Sequence, residues 1–274
     1  MSPYDLTTLA ALKFWLGLPA AAGPSDATLA SLITAASRSI YAALSRPALL
    51  PQSYSETIDL EARRIYLRQW PVLQVNAATW RGVPLAADAN PDLEASVGYT
   101  LQPGEAAPPG RPQALDLFGL PVCPGRQSLV VSYRAGYAVQ GETQTVPSSA
   151  PFQIAPLAPY GAWGSDLGVA YAATGAPLVA VPGAPTAAGQ YAASAGVYLF
   201  SAADSGQAVA LSYGYIPQDL AQAALELAAE RFRAAERIGL NSKSVGGQET
   251  ISYDTSAVAA PILAMLQPYK RVAA

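Results

Sequence analysis

The chain has 274 residues, 51% hydrophobic and only 13% charged, with a formal net charge of −3, no histidine and one cysteine. The missing histidine excludes a Ser-His-Asp or Cys-His machine, a His-ligated zinc site and a histidine pH switch. Cys123, alone within Pro121–Gly125, has no partner for an internal disulfide or a thiolate cluster and reads as a buried filler thiol. Mild acidity argues against a dedicated binder of the phosphate backbone. At roughly 150 residues per domain the length predicts about two domains. No apolar run approaches the ~18 residues of a membrane span, and the first residues lack a basic-then-apolar leader pattern. The expectation is a soluble intracellular product.

The first fifty residues predict two helices. Asp5 is placed to cap a short one running through Leu12, Phe14, Trp15 and Leu16 to Gly17. Ser25 is placed to cap a longer one with the stripe Leu29, Leu32, Ile33, Ala36, Ile40 and Leu44, stopped at Arg46-Pro47. Strands are expected over 53–60, 64–70, 72–80 and 127–133, with weaker ones starting at Val83 and over 97–101 and 114–120.

Composition then changes. From Ala138 to Ser212 there is no Lys or Arg, and only Glu142, Asp166 and Asp204 carry charge. Short strands are expected at 167–172, 178–181, 197–200 and 208–213, so this stretch reads as a small all-β module, a sandwich or open barrel. Ser132–Tyr137 before it echoes Ser212–Tyr215 after it, which suggests an insertion where one strand would otherwise lead into the next helix.

That helix opens at Ile216-Pro217, carries the stripe Leu220, Ala224, Leu227, Ala228 and Phe232, and ends at Gly239. Glu226/Glu230 and Arg233/Arg237 put like charges at helical spacing, an arrangement that makes sense when a neighbouring subunit supplies the opposite charges. Beyond it come a polar loop, a strand near 249–253 and a short helix near 261–266. The tail is too poor in apolar residues for a core of its own, so it is expected to order on a partner.

Few constellations suggest chemistry. Glu56, Asp59 and Glu61 lie close together, but the odd step from 56 to 59 puts two of them on opposite strand faces, and a solvated or salt-bridged strand edge is the better reading. Asp88, Asn90 and Asp92 begin like a calcium loop without its glycine and terminal glutamate. Gly246-Gly247 near Lys243 lacks the spacing of a P-loop and reads as a hairpin turn. The tyrosines in and beside the β module have no interleaved Lys or Arg, so a single-strand stacking platform is disfavoured. They read as structural, or as a surface facing carbohydrate or protein. No catalytic, cofactor or metal residue is assigned.

An ordered series of motifs resembles the tailed-phage head–tail connector (adaptor) proteins. It comprises Asp5-Leu6, Leu12–Gly17, Leu32–Ser37, Tyr54–Thr57 leading to Leu67–Val72, and Val131–Tyr137, then Ile216–Leu220, Leu227–Arg231, Arg237–Gly239, Ser242–Ser244 through Tyr253, and Leu266–Tyr269. The resemblance implies a non-enzymatic virion protein of the neck, assembled in the host cytoplasm. It implies a homo-oligomeric ring, typically a dodecamer, beneath the portal protein. Such a ring extends the DNA channel, passes DNA without sequence-specific binding, and offers a platform to the stopper or tail-terminator protein. No membrane or cofactor is implied. The segment Gly189 through Asp204 looks like inserted domains of other phage structural proteins.

The expected fold is α+β: a small helical bundle with antiparallel β elements, an inserted all-β module and an extended C-terminal tail. Expected boundaries are 1–137 with 213–240 for the connector core, 138–212 for the insertion and 241–274 for the portal-binding tail. Carried over by resemblance, the portal grip falls on Lys243, Ser252, Tyr253, Tyr269, Lys270 and Arg271, and the ring interface on Glu226, Glu230, Arg233 and Arg237. Two other classes remain: a carbohydrate- or host-surface-binding β module that uses exposed tyrosines, and a carboxylate hydrolase dependent on Glu56.

Overall fold

The computed structural model describes residues 4–87, 97–105, 107–120, 125–234, 242–245, 249–252 and 260–271. The expected turn at Asp88–Asp92, Cys123, Arg237, Gly239, Gly246-Gly247 and Tyr253 lie outside them. The fold is α+β and divides into two compact units, residues 1–47 with 218–270 and residues 48–217 with 271–274.

The first unit is helical and draws on both ends of the chain. Its helices are α1 (Leu9–Leu16), α2 (Asp26–Leu44), α3 (Gln218–Ala234) and α4 (Ala260–Leu266), the last running into a 3-10 turn at Gln267–Tyr269. Thr8, not Asp5, caps α1, its side chain accepting from Ala11 N. Asp5 is drawn off to α2, where its carboxylate accepts from the Thr34 hydroxyl at 2.9 Å. Ser25 makes no side-chain cap, because its own backbone is already helical. Asp26 ties this end instead, accepting from Gly23 N and from the Lys13 ammonium.

Leu29, Ile33, Ala36, Ile40 and Leu44 form the buried stripe of α2, as the spacing predicts. By length and composition α2 would span a bilayer, but this stripe packs on α3 and Arg38 sits exposed in mid-helix, the pattern of a bundle helix. α3 buries Leu220, Ala223, Ala224, Leu225, Leu227, Ala228 and Ala229, more than one face, because α1, α2 and α4 all pack on it. Part of the expected free tail also packs: Ile262, Leu266 and Tyr269 recur at i, i+4 and i+7 and are buried. A two-stranded ribbon pairs β15 (Ser242–Val245) antiparallel with β16 (Glu249–Ser252).

The second unit is all β. One curled seven-stranded sheet has the order β1-β7-β3-β4-β5-β6-β2. The strands are β1 (Gln52–Leu60), β2 (Arg64–Tyr66), β3 (Val72–Trp80), β4 (Val83–Ala87), β5 (Gly98–Leu101), β6 (Ala114–Phe118) and β7 (Gly125–Ala135). β1 alternates inward and outward along its whole length. The inner face packs Leu60, Leu67, Leu115, Leu117, Leu129, Val131 and Tyr133 into one core. The expected strand 64–70 stops at Tyr66, because Gln69 N turns to the Tyr133 hydroxyl and Pro71 has no N–H to give a ladder.

Two further sheets follow in the same unit. The first, β10-β14-β8, joins β8 (Ala138–Thr145), β10 (Gly161–Tyr171) and β14 (Ala208–Pro217). The second, β11-β12-β13-β9, joins β9 (Gln153–Ile154), β11 (Val179–Ala180), β12 (Gln190–Ser194) and β13 (Val197–Phe200). β10 begins six residues before the expected strand at 167, and two register shifts in its pairing with β14 explain why its alternation is illegible in sequence.

Candidate functional site

The echo between Ser132–Tyr137 and Ser212–Tyr215 is a spatial pairing. Tyr215 N donates to Tyr137 O at 3.1 Å, Gly214 pairs with Ala138, and the Tyr137 and Tyr215 rings lie 5.8 Å apart. The chain therefore departs at Ala138 and returns at Gly214 side by side, and the residues between belong to the same compact unit as the curled sheet. Leu50-Pro51 is wedged between the two arms. A Cβ on Gly136 would stand 2.5 Å from Pro51 N, and one on Gly214 would stand 2.8 Å from Pro51 Cδ. These glycines are present because a backbone approaches where a side chain would sit. An open cleft of about 420 Å³ borders this junction, between Pro71, Val72, Gln113, Ala138, Tyr160 and Tyr215. Gln113 is buried in it and already committed, accepting from Val72 N and donating to Gln102 O.

The acids of this unit hold structure. Within the cation-free module, each of the three carboxylates takes a tyrosine hydroxyl. Tyr213 donates to Glu142 at 2.5 Å, Tyr191 to Asp166 at 2.6 Å and Tyr171 to Asp204 at 2.5 Å. Tyr198 also donates to Asp166, and Gly189 N donates to the fully buried Asp204. Burial raises the phenols of Tyr191, Tyr198 and Tyr213, and the neighbouring carboxylates raise them further. The hydrogen bond to Asp204 is the leading cause for Tyr171. Neutral phenols thus do here what Lys and Arg do elsewhere, solvating the half-buried Glu142 and Asp166 and the buried Asp204 with short charge-assisted bonds.

Glu56 follows the same pattern. It is half-buried, takes the Tyr133 hydroxyl on one oxygen and Arg68 N on the other at 3.4 Å, and so bridges the gap between the two ends of the curled sheet. For Glu56 alone the expected solvated or salt-bridged strand edge is corrected, since β1 does lie at an edge of the sheet and Asp59 is exposed there. Asp59, on the opposite face, accepts from Gln127 N. Glu61 is exposed. The tyrosines expected as a ligand-facing surface are mostly interior: Tyr191, Tyr198, Tyr213 and Tyr215 are at most 2% exposed. Among the described residues no group of three His, Cys, Asp or Glu is placed to hold a metal ion.

The carried-over assembly residues fall in the helical unit, except Arg271, which is grouped with the second. Glu226, Glu230 and Arg233 share one face of α3 at i, i+4 and i+7. Glu226 accepts from Gln222 at 2.8 Å, Glu230 is half-buried and Arg233 is exposed. Lys243 and Ser252 lie on the ribbon, in the register Lys243↔Ile251 and Ser242↔Ser252. Tyr269 is interior. Its hydroxyl donates to Asp219 at 3.0 Å and its carbonyl accepts from the buried Arg46 guanidinium at 3.3 Å. Lys270 and Arg271 are exposed.

Sequence reasoning missed that α1 packs with its polar residue inward. Lys13 is 5% exposed, paired to Asp26 at 2.9 Å and to Ala21 O, whereas Phe14 is 88% and Trp15 47% exposed. No sequence signal could have found this, since Leu9–Leu16 is apolar on every side except Lys13 and so has no distinct inward face.

No known family and no curated protein matches the chain. Among solved structures it is similar to a chain from the neck of an empty gene transfer agent (GTA) particle computed with C6 symmetry. The identity is 16%, the TM-score 0.42, and the match covers 100% of this chain and 94% of that one.

Proposed function

We propose that this protein is a structural component of the neck of a phage-like particle, a head–tail connector that assembles as a ring under the portal. The observation that carries the reading is the ordered motif series, whose first and last members fold together. Leu12–Gly17, Leu32–Ser37, Gln218–Leu220 of the Ile216–Leu220 motif, Leu227–Arg231 and Leu266–Tyr269 belong to one helical unit, drawn from residues on both sides of the β unit. The GTA neck names the same setting, but the weight rests on the motif order. In this reading the ring presents its channel to passing DNA, the stopper or tail-terminator protein binds one side, and the portal is gripped through Lys243, Ser252, Tyr253, Tyr269, Lys270 and Arg271. Tyr269 contributes by anchoring α4, while Lys270 and Arg271 make the outward contact. Glu226, Glu230, Arg233 and Arg237 meet a neighbouring copy.

The test is cryo-EM of the purified chain with the portal protein of its own particle, beside the triple reversal Lys243→Glu, Lys270→Glu and Arg271→Glu. Deleting the tail outright would also remove Ile262 and Leu266 from the core, so point changes are the cleaner perturbation. Rings coaxial with the portal for the intact chain, lost on reversal, are expected. An intact chain that neither forms a ring nor touches the portal overturns the reading.

A further inference from the structure

The cleft beside Tyr160 holds side chains that the fold leaves unused. Tyr133, Tyr137, Tyr171, Tyr191, Tyr198 and Tyr213 each donate their hydroxyl to a carboxylate or a carbonyl. Tyr160 is the exception. Its half-buried ring lies 5.7 Å from that of Tyr215, and its hydroxyl makes no hydrogen bond among the described residues. Gln140 on β8 is exposed, and its side-chain amide is likewise unbonded among them. Both line the open cleft of about 420 Å³, a volume at the lower end of the ~300–1,000 Å³ of small-molecule sites.

The surroundings of these two groups are fixed. The turn leading into Tyr160 is pinned where Leu157 N donates to Glu142 at 2.8 Å and Ala158 N donates to the Tyr213 hydroxyl at 3.1 Å. Gly161, directly after it, pairs with Pro217 at the start of β10. Elsewhere in the lining, Gln113 is held by Val72 and Gln102 and packs closely on Gly104, where a Cβ would stand 2.9 Å from the Gln113 Cδ. Groups already held in place lose little freedom when a ligand arrives.

We infer that this cleft binds a neutral saccharide, with Tyr160 as the stacking platform and Gln140 as a reader of ring hydroxyls. The inference does not depend on the neck reading. No Lys or Arg lines the cleft, and its one acid, Glu105, is paired with Arg111 at 3.4 Å, so neither an anion nor a cation finds a free counter-charge there. A phenol ring offers an apolar face to the C–H side of a sugar. The phenol hydroxyl and the Gln140 amide together supply the donors and acceptors that sugar hydroxyls need. A wholly apolar ligand would leave those groups unpaired.

Saturation-transfer NMR on the full chain tests this. Cellobiose, maltose and N,N′-diacetylchitobiose serve as neutral probes, with glucose 6-phosphate and hexaproline as the anionic and peptide alternatives. Transfer to at least one neutral disaccharide is expected, with none to the other two compounds. Tyr160→Phe, which keeps the ring, and Gln140→Ala should each weaken binding about fivefold, and Tyr160→Ala should weaken it further. Tyr66→Ala, at a tyrosine 51% exposed on β2 and outside the cleft, should leave it unchanged. Circular dichroism checks that each variant folds, and Gln140→Ala, at an exposed position, keeps the test intact if a Tyr160 variant does not. No transfer to any of the three disaccharides would overturn the proposal, as would an equal loss with Tyr66→Ala. Transfer to glucose 6-phosphate would make this an anion site and transfer to hexaproline a peptide groove, and either would overturn it too.

Discussion

Replacing Gly136 by Ala tests the wedge of Leu50-Pro51 against the end of β7. Gly136 has φ +144°, a region that side-chain-bearing residues rarely adopt, and the added Cβ would stand 2.5 Å from Pro51 N and 2.6 Å from Leu50 C. Both neighbours are backbone, so relief requires moving the chain. Dihedral strain costs about 1–3 kcal/mol and forced overpacking about 1–3 kcal/mol more. The sum is about 2–6 kcal/mol against a total stability of about 5–15 kcal/mol. For a unit of this size each 1 kcal/mol lowers Tm by about 2–4 °C, so a fall of about 10 °C is expected. The control is Gly168→Ala, which shares the strain at φ +125° but would meet nothing within 4 Å. Urea unfolding followed by far-UV circular dichroism, with calorimetry to separate the two units, should show Gly136→Ala costing about 1–3 kcal/mol more than Gly168→Ala. Equal costs would refute the argument that Leu50-Pro51 is packed against this backbone.

Tyr213→Phe leaves Glu142 and Ala158 N each without the hydroxyl they share, and should destabilise the β unit by about 2 kcal/mol, read from the urea midpoint. An unchanged midpoint would deny these tyrosine–carboxylate bonds a role. Stability should also fall in alkali. Tyr133, Tyr191, Tyr198, Tyr213 and Tyr215 are raised above their usual value of 10.0, chiefly by burial, so the folded state keeps protons that the unfolded state releases. Their contribution is complete below about pH 10 and is lost above it at about 1.4 kcal/mol per pH unit for each tyrosine. Tyrosinate absorbance should therefore appear together with loss of the sheet signal. Ionisation of all the tyrosines near pH 10 with the sheet intact would contradict it. In the helical unit, Tyr269→Phe removes the bond to Asp219, and should cost about 1 kcal/mol and speed amide exchange across Ala260–Tyr269. Unaltered exchange there would show that α4 is held by its apolar stripe alone.

The sequence by itself determined what local periodicity and composition can carry. The stripe of α2 was legible because 3.6-residue spacing survives whatever packs on it, and β1 because unbroken alternation leaves one face for a core. The absence of Lys and Arg sets Ala138 to Ser212 apart in composition, yet its strands share one compact unit with the curled sheet. β8 and the first half of β10 were not legible, since β8 is polar along most of its length and the register shifts of β10 fall between Trp163 and Gly168. Contacts between distant residues belong to the tertiary structure. Only there do Tyr137 and Tyr215 meet across Leu50-Pro51, do the phenols find the three carboxylates of a cation-free module, and does α1 turn Lys13 in and Phe14 out. A sequence records which residues are apolar or charged. Which side of a short, almost wholly apolar helix faces inward depends on partners elsewhere in the chain, here Asp26, 13 residues from Lys13, and the far more distant α3.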